Sequence, residues 1–240
     1  MNNLLEVKNL TKIYAGGKVA ANNVSLTIEK GEVFGFIGHN GAGKTTTIKC
    51  IVGLLQYDKG SVVFDGEVLG SDLTEFKKKI AYIPDNPDLY DYLTGIQYLN
   101  FIADVYNIDK ESRIKDITKY SELFEIKDSL GNLVSTYSHG MKQKLAIISA
   151  LIRKPKLLVL DEPFVGLDPK AAYDVKEIMK KMCEEGASIF FSTHVLEVAE
   201  KLCDKIAIIK NGEIVAFGKT EEVKGDNSLE DVFLELANNE

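Results

Sequence analysis

The sequence predicts an α/β fold in which a helical lobe interrupts a mostly parallel sheet and an antiparallel β piece precedes both. Three observations carry this. Short continuous apolar runs at 33–37, 157–160 and 189–191 have the length and the Val, Leu, Ile and Phe content of strands buried on both faces. Alternating apolar residues separated by glycine turns fill the first thirty positions. Between 87 and 154 the apolar spacing becomes helical.

From the beginning of the chain, Leu5, Val7 and Leu10, then Val24, Leu26 and Ile28, read as two half-buried strands with Gly16-Gly17 turning between them. The run 33–37 ends at Gly38, a glycine-rich loop follows, and a helix is expected over about 44–55. Asp65-Gly66 inside 61–69 is a hairpin signal. Thr94 is placed to cap a helix bearing Ile96, Leu99, Ile102 and Val105; Ile114, Ile117 and Leu123 mark a second; Leu145, Ile148, Leu151 and Ile152 line a third. After Pro155 strands and helices alternate: strand 157–160, helix 171–185 ending at Gly186, strand 189–191, helix 195–202. A hairpin of 206–209 and 214–217 follows around Asn211-Gly212, and then a last helix carrying Leu229, Val232, Phe233 and Leu236.

With 240 residues the chain suffices for one large domain with an inserted lobe. A formal net charge of −7 argues against nucleic acid, whose phosphates need clustered cations; the run Lys77-Lys78-Lys79 reads as a solvated helix face. Cys50, Cys183 and Cys203 are odd in number and far apart, which fits neither a disulfide framework nor a zinc pattern. No apolar stretch near the beginning reads as a signal, and none spans a bilayer, so the chain is expected to be cytosolic and at most peripheral to a membrane.

The chemistry starts at Gly38-His39-Asn40-Gly41-Ala42-Gly43-Lys44-Thr45, followed by Thr46. It fits G-x-x-x-x-G-K-[ST] at every defined position, between a strand and a helix. Glycines let backbone N–H groups wrap close to phosphates, the helix start adds its positive end, Lys44 can reach the β- and γ-phosphates, and the Thr45 hydroxyl can ligate Mg²⁺. The run 157–160 then delivers Asp161 and Glu162 at the carboxyl end of a strand, where ligands sit in open α/β sheets. Asp161 suits Mg²⁺, and Glu162 suits a general base for water. A third motif, Tyr137-Ser138-His139-Gly140-Met141-Lys142-Gln143, opens a helix with Ser138 as cap, 23 residues before Asp161. One chain has little use for a second anion-binding helix terminus on one nucleotide; two facing chains do.

At this point the sequence resembles the nucleotide-binding subunits of ATP-binding-cassette transporters over essentially its whole length. The resemblance implies a P-loop NTPase core of the RecA type with an N-terminal antiparallel β subdomain and an inserted α-helical subdomain. One domain then covers 1–240, with 1–84 and 155–240 as catalytic core and β subdomain and 85–154 as the helical part. It implies that Ser138, Gly140, Met141 and Gln143 form a signature facing the nucleotide of a second subunit, identical or similar. Tyr14 would stack on adenine, and Val19 would cover the same ring. Asp168, in Val165-Gly166-Leu167-Asp168, would link the two sites, and also reads as a helix cap before Pro169. His194, 33 residues after Asp161, would touch the γ-phosphate and orient the attacking water. One departure stands out. The family places glutamine after Tyr-x-Pro at the lobe junction, whereas this chain has Tyr82-Ile83-Pro84-Asp85. Asp85 either takes that role, toward Mg²⁺ or water, or caps a turn at Asn86-Pro87. ATP and Mg²⁺ are the implied cofactors. A second cassette and an integral membrane permease are the implied partners, with no nucleic acid, and the cytoplasmic face of the membrane is the implied location. The segment at 82–85, the signature helix and the tail from Leu229 resemble the drug- and peptide-exporting branch. A soluble regulatory or assembly member of the superfamily is the alternative. It is disfavoured by the single cassette, the lack of coiled coils and the acidic charge. A phosphate-loop kinase or GTPase would leave the signature helix unexplained.

Overall fold

The computed structural model describes residues 3–70 and 72–238, the last two by backbone alone. The chain begins with β1 (Asn3–Ile13) and β2 (Val19–Glu29), antiparallel partners that match Leu5 with Ile28, Val7 with Leu26 and Leu10 with Val24. Val7 and Leu10 are an odd number of residues apart, so a regular strand would put them on opposite faces. A register shift between them solves this: Asn9 sits at φ 51°, and both leucine and valine stay buried. β3 (Val33–Ile37) is buried throughout and leads through the glycine loop into α1 (Lys44–Ile51). The helix stops four residues short of expectation, where Gly53 turns the chain at φ 71°. β4 (Lys59–Phe64) and β5 (Glu67–Val68) form the hairpin at Asp65-Gly66.

Next come α2 (Thr74–Lys79) and β6 (Ile80–Ile83), which the apolar pattern did not announce. Lys77, Lys78 and Lys79 fill the last turn of α2, where cations suit the helix's negative end. The lobe consists of α3 (Gly95–Val105), α4 (Lys110–Leu123) and α5 (His139–Leu151). Thr94 closes a full capping box: its hydroxyl accepts from Gln97 N at 3.3 Å, and Gln97 Oε1 accepts from Thr94 N at 2.9 Å. Of the expected apolar face of α4, Ile117 is buried but Ile114 is exposed. Arg153 joins lobe to core. Its guanidinium lies 3.7 Å from the Tyr106 ring centroid and donates to the carbonyls of Lys77 and Ile80.

The core resumes with β7 (Leu157–Asp161), α6 (Pro169–Glu184), β8 (Ser188–Thr193), α7 (Leu196–Leu202), β9 (Lys205–Lys210), β10 (Glu213–Lys219), α8 (Thr220–Lys224) and α9 (Leu229–Asn238). Two sheets result, β2-β1-β4-β5 and β10-β9-β3-β8-β7-β6. In the second, all neighbours are parallel except β9 and β10. α1 packs between the sheets with Phe34, Phe36 and Phe190 edge-on beneath it, while the lobe, α6 and α7 cover the other face. No described helix is long and apolar enough to cross a membrane. The parallel register sets Ile37 beside Thr193 and Asp161 beside Ser192, so β3, β7 and β8 end together at one edge. That edge carries the site.

Candidate functional site

The loop from Gly38 to Gly43 is shaped by what surrounds it. A Cβ on Gly43 would lie 2.2 Å from the Ala20 carbonyl oxygen, and one on Gly38 would lie 2.5 Å from that of Ile209. Gly43 also adopts φ 108°, closed to other residues without strain. Among the described residues nothing accepts from the N–H groups of Gly41, Gly43, Lys44, Thr45 or Thr46. α1 has no side-chain cap and no acid of its own in its first turn. Lys44 is buried, and its Nζ donates to the carbonyls of Gly38 (2.6 Å) and His39 (3.3 Å) and lies 3.2 Å from Glu162 Oε1.

The acids arrive at the end of β7. Asp161 is buried and takes the Thr45 hydroxyl on Oδ2 (2.7 Å) and the Ser192 hydroxyl on Oδ1 (2.5 Å). Ser192 Oγ in turn accepts from Glu162 N at 3.1 Å. Glu162 sits at φ 50°, a left-handed conformation costing about 1–3 kcal/mol, which aims its carboxylate into the loop's hollow. Its Oε2 meets His194 Nδ1 at 3.0 Å, and His194 is half exposed. Asp161 and Thr45 offer two hard oxygens side by side, the donor type and number with which Mg²⁺ combines substrate phosphates and water, so these residues fit that ion.

One cleft of about 240 Å³ gathers Tyr14, His39, Asn40, Gly41, Gly43, Lys44, Thr45, Thr46, Asp85 and Glu162, with Lys18 and Ala20. The Tyr14 ring is exposed, follows β1 in the turn closed by Gly16 and Gly17, and is tied by its hydroxyl to Thr46 Oγ1 at 3.2 Å. Val19 is exposed on β2, but the cleft takes its neighbours Lys18 and Ala20 rather than Val19 itself. Ala42 is buried beneath the loop. Asp85 is exposed in the cleft, and no hydrogen bond or ion pair holds it among the described residues, so it does not cap the turn at Asn86-Pro87. Beneath it the Tyr82 hydroxyl is buried without a partner. Burial, with the negative charges of Asp161 and Asp85, pushes its pKa well up.

The signature residues lie elsewhere. None of them lines the cleft. Ser138 caps α5, accepting from Met141 N at 3.2 Å. Gly140 lies so close to the neighbouring loop that a Cβ would meet the Gly166 carbonyl oxygen at 2.6 Å. Asp168 caps α6 through Ala171 N (2.9 Å) and pairs with Lys144 of α5 at 2.7 Å, an ion pair that joins the signature helix to the loop after Glu162. Gln143 differs from expectation. It has no exposed surface and both amide atoms are unpaired, because α5 turns that face into the lobe's core; it cannot reach a second chain from there. Sequence reasoning assigned no role to Ser192, Tyr82 or Lys18. The one available signal was Ser192's place in Ser-Thr-His at the end of β8.

Known proteins resemble this chain in sequence and in fold. Residues 21–165 match the family model described as ABC transporter. The chain is 39% identical over 238 residues to the ABC-type transporter ATP-binding protein EcsA of Bacillus subtilis (strain 168), covering 97% of this chain and 96% of that one. Among solved structures, an ATP-binding subunit of an ABC transporter superposes with TM-score 0.93 at 34% identity, covering 98% of this chain and all of the other. The ATP-binding cassette MJ0796, in a dimeric post-hydrolysis state bound to ADP and Pi, superposes with TM-score 0.82 at 28% identity over 90% of this chain and 98% of that one. The chain therefore belongs to the ABC transporter family as an ATP-binding, ATP-hydrolysing subunit.

Proposed function

We propose that this subunit works as one of a pair of cassettes, identical or similar, that clamp ATP between them and drive an integral membrane permease on the cytoplasmic face of the membrane. The observation that carries this reading is the division of the site. The phosphate loop, Asp161, Glu162 and His194 share one edge, while the capped helix start at Ser138 is not part of the cleft's lining. A second anion-binding end outside the first site is useful to a facing subunit, and the dimeric neighbour bound to ADP and Pi supports such pairing.

In this reading the free N–H groups of the loop and the Lys44 ammonium hold the β- and γ-phosphates, and Tyr14 supports the adenine. Thr45 and Asp161 would hold Mg²⁺, which when bound supplies positive charge to the phosphates. Glu162 Oε2 is fixed by His194, leaving the carboxylate to take a proton from the attacking water while His194 orients it. Ser138, Gly140 and Met141 of the other subunit would complete the γ-phosphate's surroundings. Closing on ATP and reopening after hydrolysis is a differential-binding cycle. The lobe would pass it to the permease through residues 85–100. There Tyr90 and Tyr92 are exposed, and Phe101, exposed on α3 just past this segment, packs 5.4 Å from Tyr90. Export of drugs, peptides or similar amphipathic molecules is the direction favoured by the resemblance at 82–85, in the signature helix and in the tail.

Glu162→Gln is expected to cut turnover by roughly 10²-fold or more while ATP still binds. The same variant, tagged and recovered from gently solubilised membranes with ATP present, is expected to bring down a multi-spanning membrane protein in stoichiometric amount. Ribosomes or soluble partners alone would overturn the transporter reading.

A further inference from the structure

Most of the phosphate loop is fastened by backbone. Gly38 N donates to Thr193 O (3.4 Å), Gly212 N donates to Ala42 O (2.9 Å), and Gly43 presses on Ala20. Among the described residues the exposed tip at His39, Asn40 and Gly41 makes no backbone bond to another element, yet it carries much of the geometry. The His39 carbonyl accepts from Ala42 N (3.2 Å) and from Lys44 Nζ (3.3 Å), so a shift of His39 moves both the turn and the lysine.

Among the described residues His39's ring has one specific contact. It meets Phe233 of α9 edge to face, with centroids 4.7 Å apart and planes at 64°. Phe233 is buried, and it shares with His39 a second cavity of about 290 Å³ that lies between α9 and the β9–β10 hairpin, on the far side of the tip from the nucleotide cleft. His39 lines both cavities. α9 is itself held at both ends. Leu229 is fully buried with its N–H on Glu200 Oε2 (3.0 Å), and Lys210 Nζ donates to the Leu236 carbonyl at 3.2 Å. A ring mounted on an anchored helix thus buttresses the least fastened part of the loop.

We propose that Phe233 is a positioning residue for ATP: by holding the His39 ring it sets the tip of the phosphate loop in its binding conformation before nucleotide arrives, although Phe233 touches no nucleotide. The inference rests on the reading that this loop takes the phosphates of ATP. Order imposed in advance lowers the cost of binding and leaves the chemical step alone, so its signature is in affinity.

The test uses the full chain and measures ATP affinity by equilibrium binding together with KM and kcat. Phe233→Ala is expected to raise Kd and KM about fivefold, the factor an aromatic pair ordinarily supplies, with kcat at saturation within about twofold, while His39→Ala, which also alters the nucleotide cleft, is expected to raise Kd and KM at least as much. The double variant is expected to be no worse than His39→Ala alone, because Phe233 acts on the loop only through the His39 ring. Phe233→Tyr, which keeps the ring, is expected to restore wild-type affinity. Leu236→Ala, on the same helix and cavity but without the ring contact, is expected to keep wild-type KM. Equal damage from Leu236→Ala, additive damage in the double variant, or wild-type KM in His39→Ala overturns the proposal. If Phe233→Ala fails to fold, Phe233→Leu, which keeps an apolar side chain but no ring, takes its place with the same expected rise in KM. Lys44→Ala separates the two levels of inference: unchanged ATP affinity there refutes the loop reading itself, whatever Phe233 does.

Discussion

Ser192 offers the sharpest test of how the acids are held. Its hydroxyl, fully buried, donates to Asp161 Oδ1 at 2.5 Å and accepts from Glu162 N at 3.1 Å. Ser192→Ala removes a charge-assisted bond worth about 1.5–3 kcal/mol and leaves a buried N–H unpaired at about 1–3 kcal/mol. That N–H belongs to a residue already at φ 50°, so the strained backbone aiming the Glu162 carboxylate loses its tether. A control exists on the same strand. Ser188 is equally buried and also makes two hydrogen bonds, accepting from Gly31 N (3.0 Å) and donating to Glu29 O (2.9 Å), but at the opposite end of β8. By that sum Ser192→Ala is expected to lose about 2.5–6 kcal/mol of stability and Ser188→Ala, whose two bonds are uncharged, about 1.5–4.5 kcal/mol, read by denaturant melts. Only Ser192→Ala is expected to lose turnover. If about half to all of the Asp161 bond serves to place the carboxylates, kcat falls roughly 10- to 100-fold, each 1.4 kcal/mol being tenfold. Phosphate release measured where both variants remain folded decides it. Wild-type kcat in Ser192→Ala, or an equal fall in Ser188→Ala, refutes the argument.

Two further predictions concern other regions. Ser138→Arg is expected to abolish hydrolysis while a single chain still binds ATP; loss of binding in the isolated chain would place Ser138 in its own site. Lys156 and Lys30, at 2.6 and 2.8 Å, hold the Asp65 carboxyl at about 2, below its ordinary 3.8, and tie the β4–β5 turn to the rest of the core. A lowered carboxyl pKa adds stability above the unfolded value and loses it as pH falls through the folded one. Asp65→Asn is therefore expected to cost about 1 kcal/mol at pH 7, with the gap to wild type closing between about pH 4 and 2 in thermal melts.

What the sequence disclosed depended on range. The phosphate loop, the two acids after β7 and the caps at Thr94, Ser138 and Asp168 are local devices, and local spacing showed them. β6 escaped because Ile80-Ala81-Tyr82-Ile83 is a short apolar run between a lysine-rich turn and a proline; what makes it a strand is its parallel pairing with β7, 77 positions further on. The bulge at Asn9 could not be seen in alternation alone, since it is the device that corrects an interrupted alternation. Gln143 was misplaced for a similar reason. Motif position puts it next to residues facing outward, but the helical rotation of α5 carries it into the lobe. Ser192 and Phe233 act on residues distant in sequence, at 161, 162 and 39, so only the folded sheet edge displays their work.

The departure at Asp85 now has a physical content. Asp161 and Glu162 are each held by several partners, whereas Asp85 is exposed in the same cleft and tied to nothing among the described residues. It is thus the acid free to meet whatever enters. A nucleotide's terminal phosphate approaching within about 4–6 Å of that carboxylate meets repulsion of about 1 kcal/mol per unit charge under full water screening, rising to about 3–4 kcal/mol under the weaker screening near a protein surface. A glutamine, neutral and able to donate, would not impose it. The same carboxylate becomes favourable when a divalent cation lies between them, since Mg²⁺ accepts carboxylate oxygens or their bound water. Asp85 should therefore make binding select the metal-bound nucleotide over the free one. Asp85→Gln is expected to tighten ATP binding measured in chelator by about 5- to 100-fold, while affinity in excess Mg²⁺ changes far less; the ratio of the two affinities is the quantity to read. If the ratio matches wild type, Asp85 stands too far from the phosphates to matter, and the lobe junction of this chain must sense nucleotide by some other group.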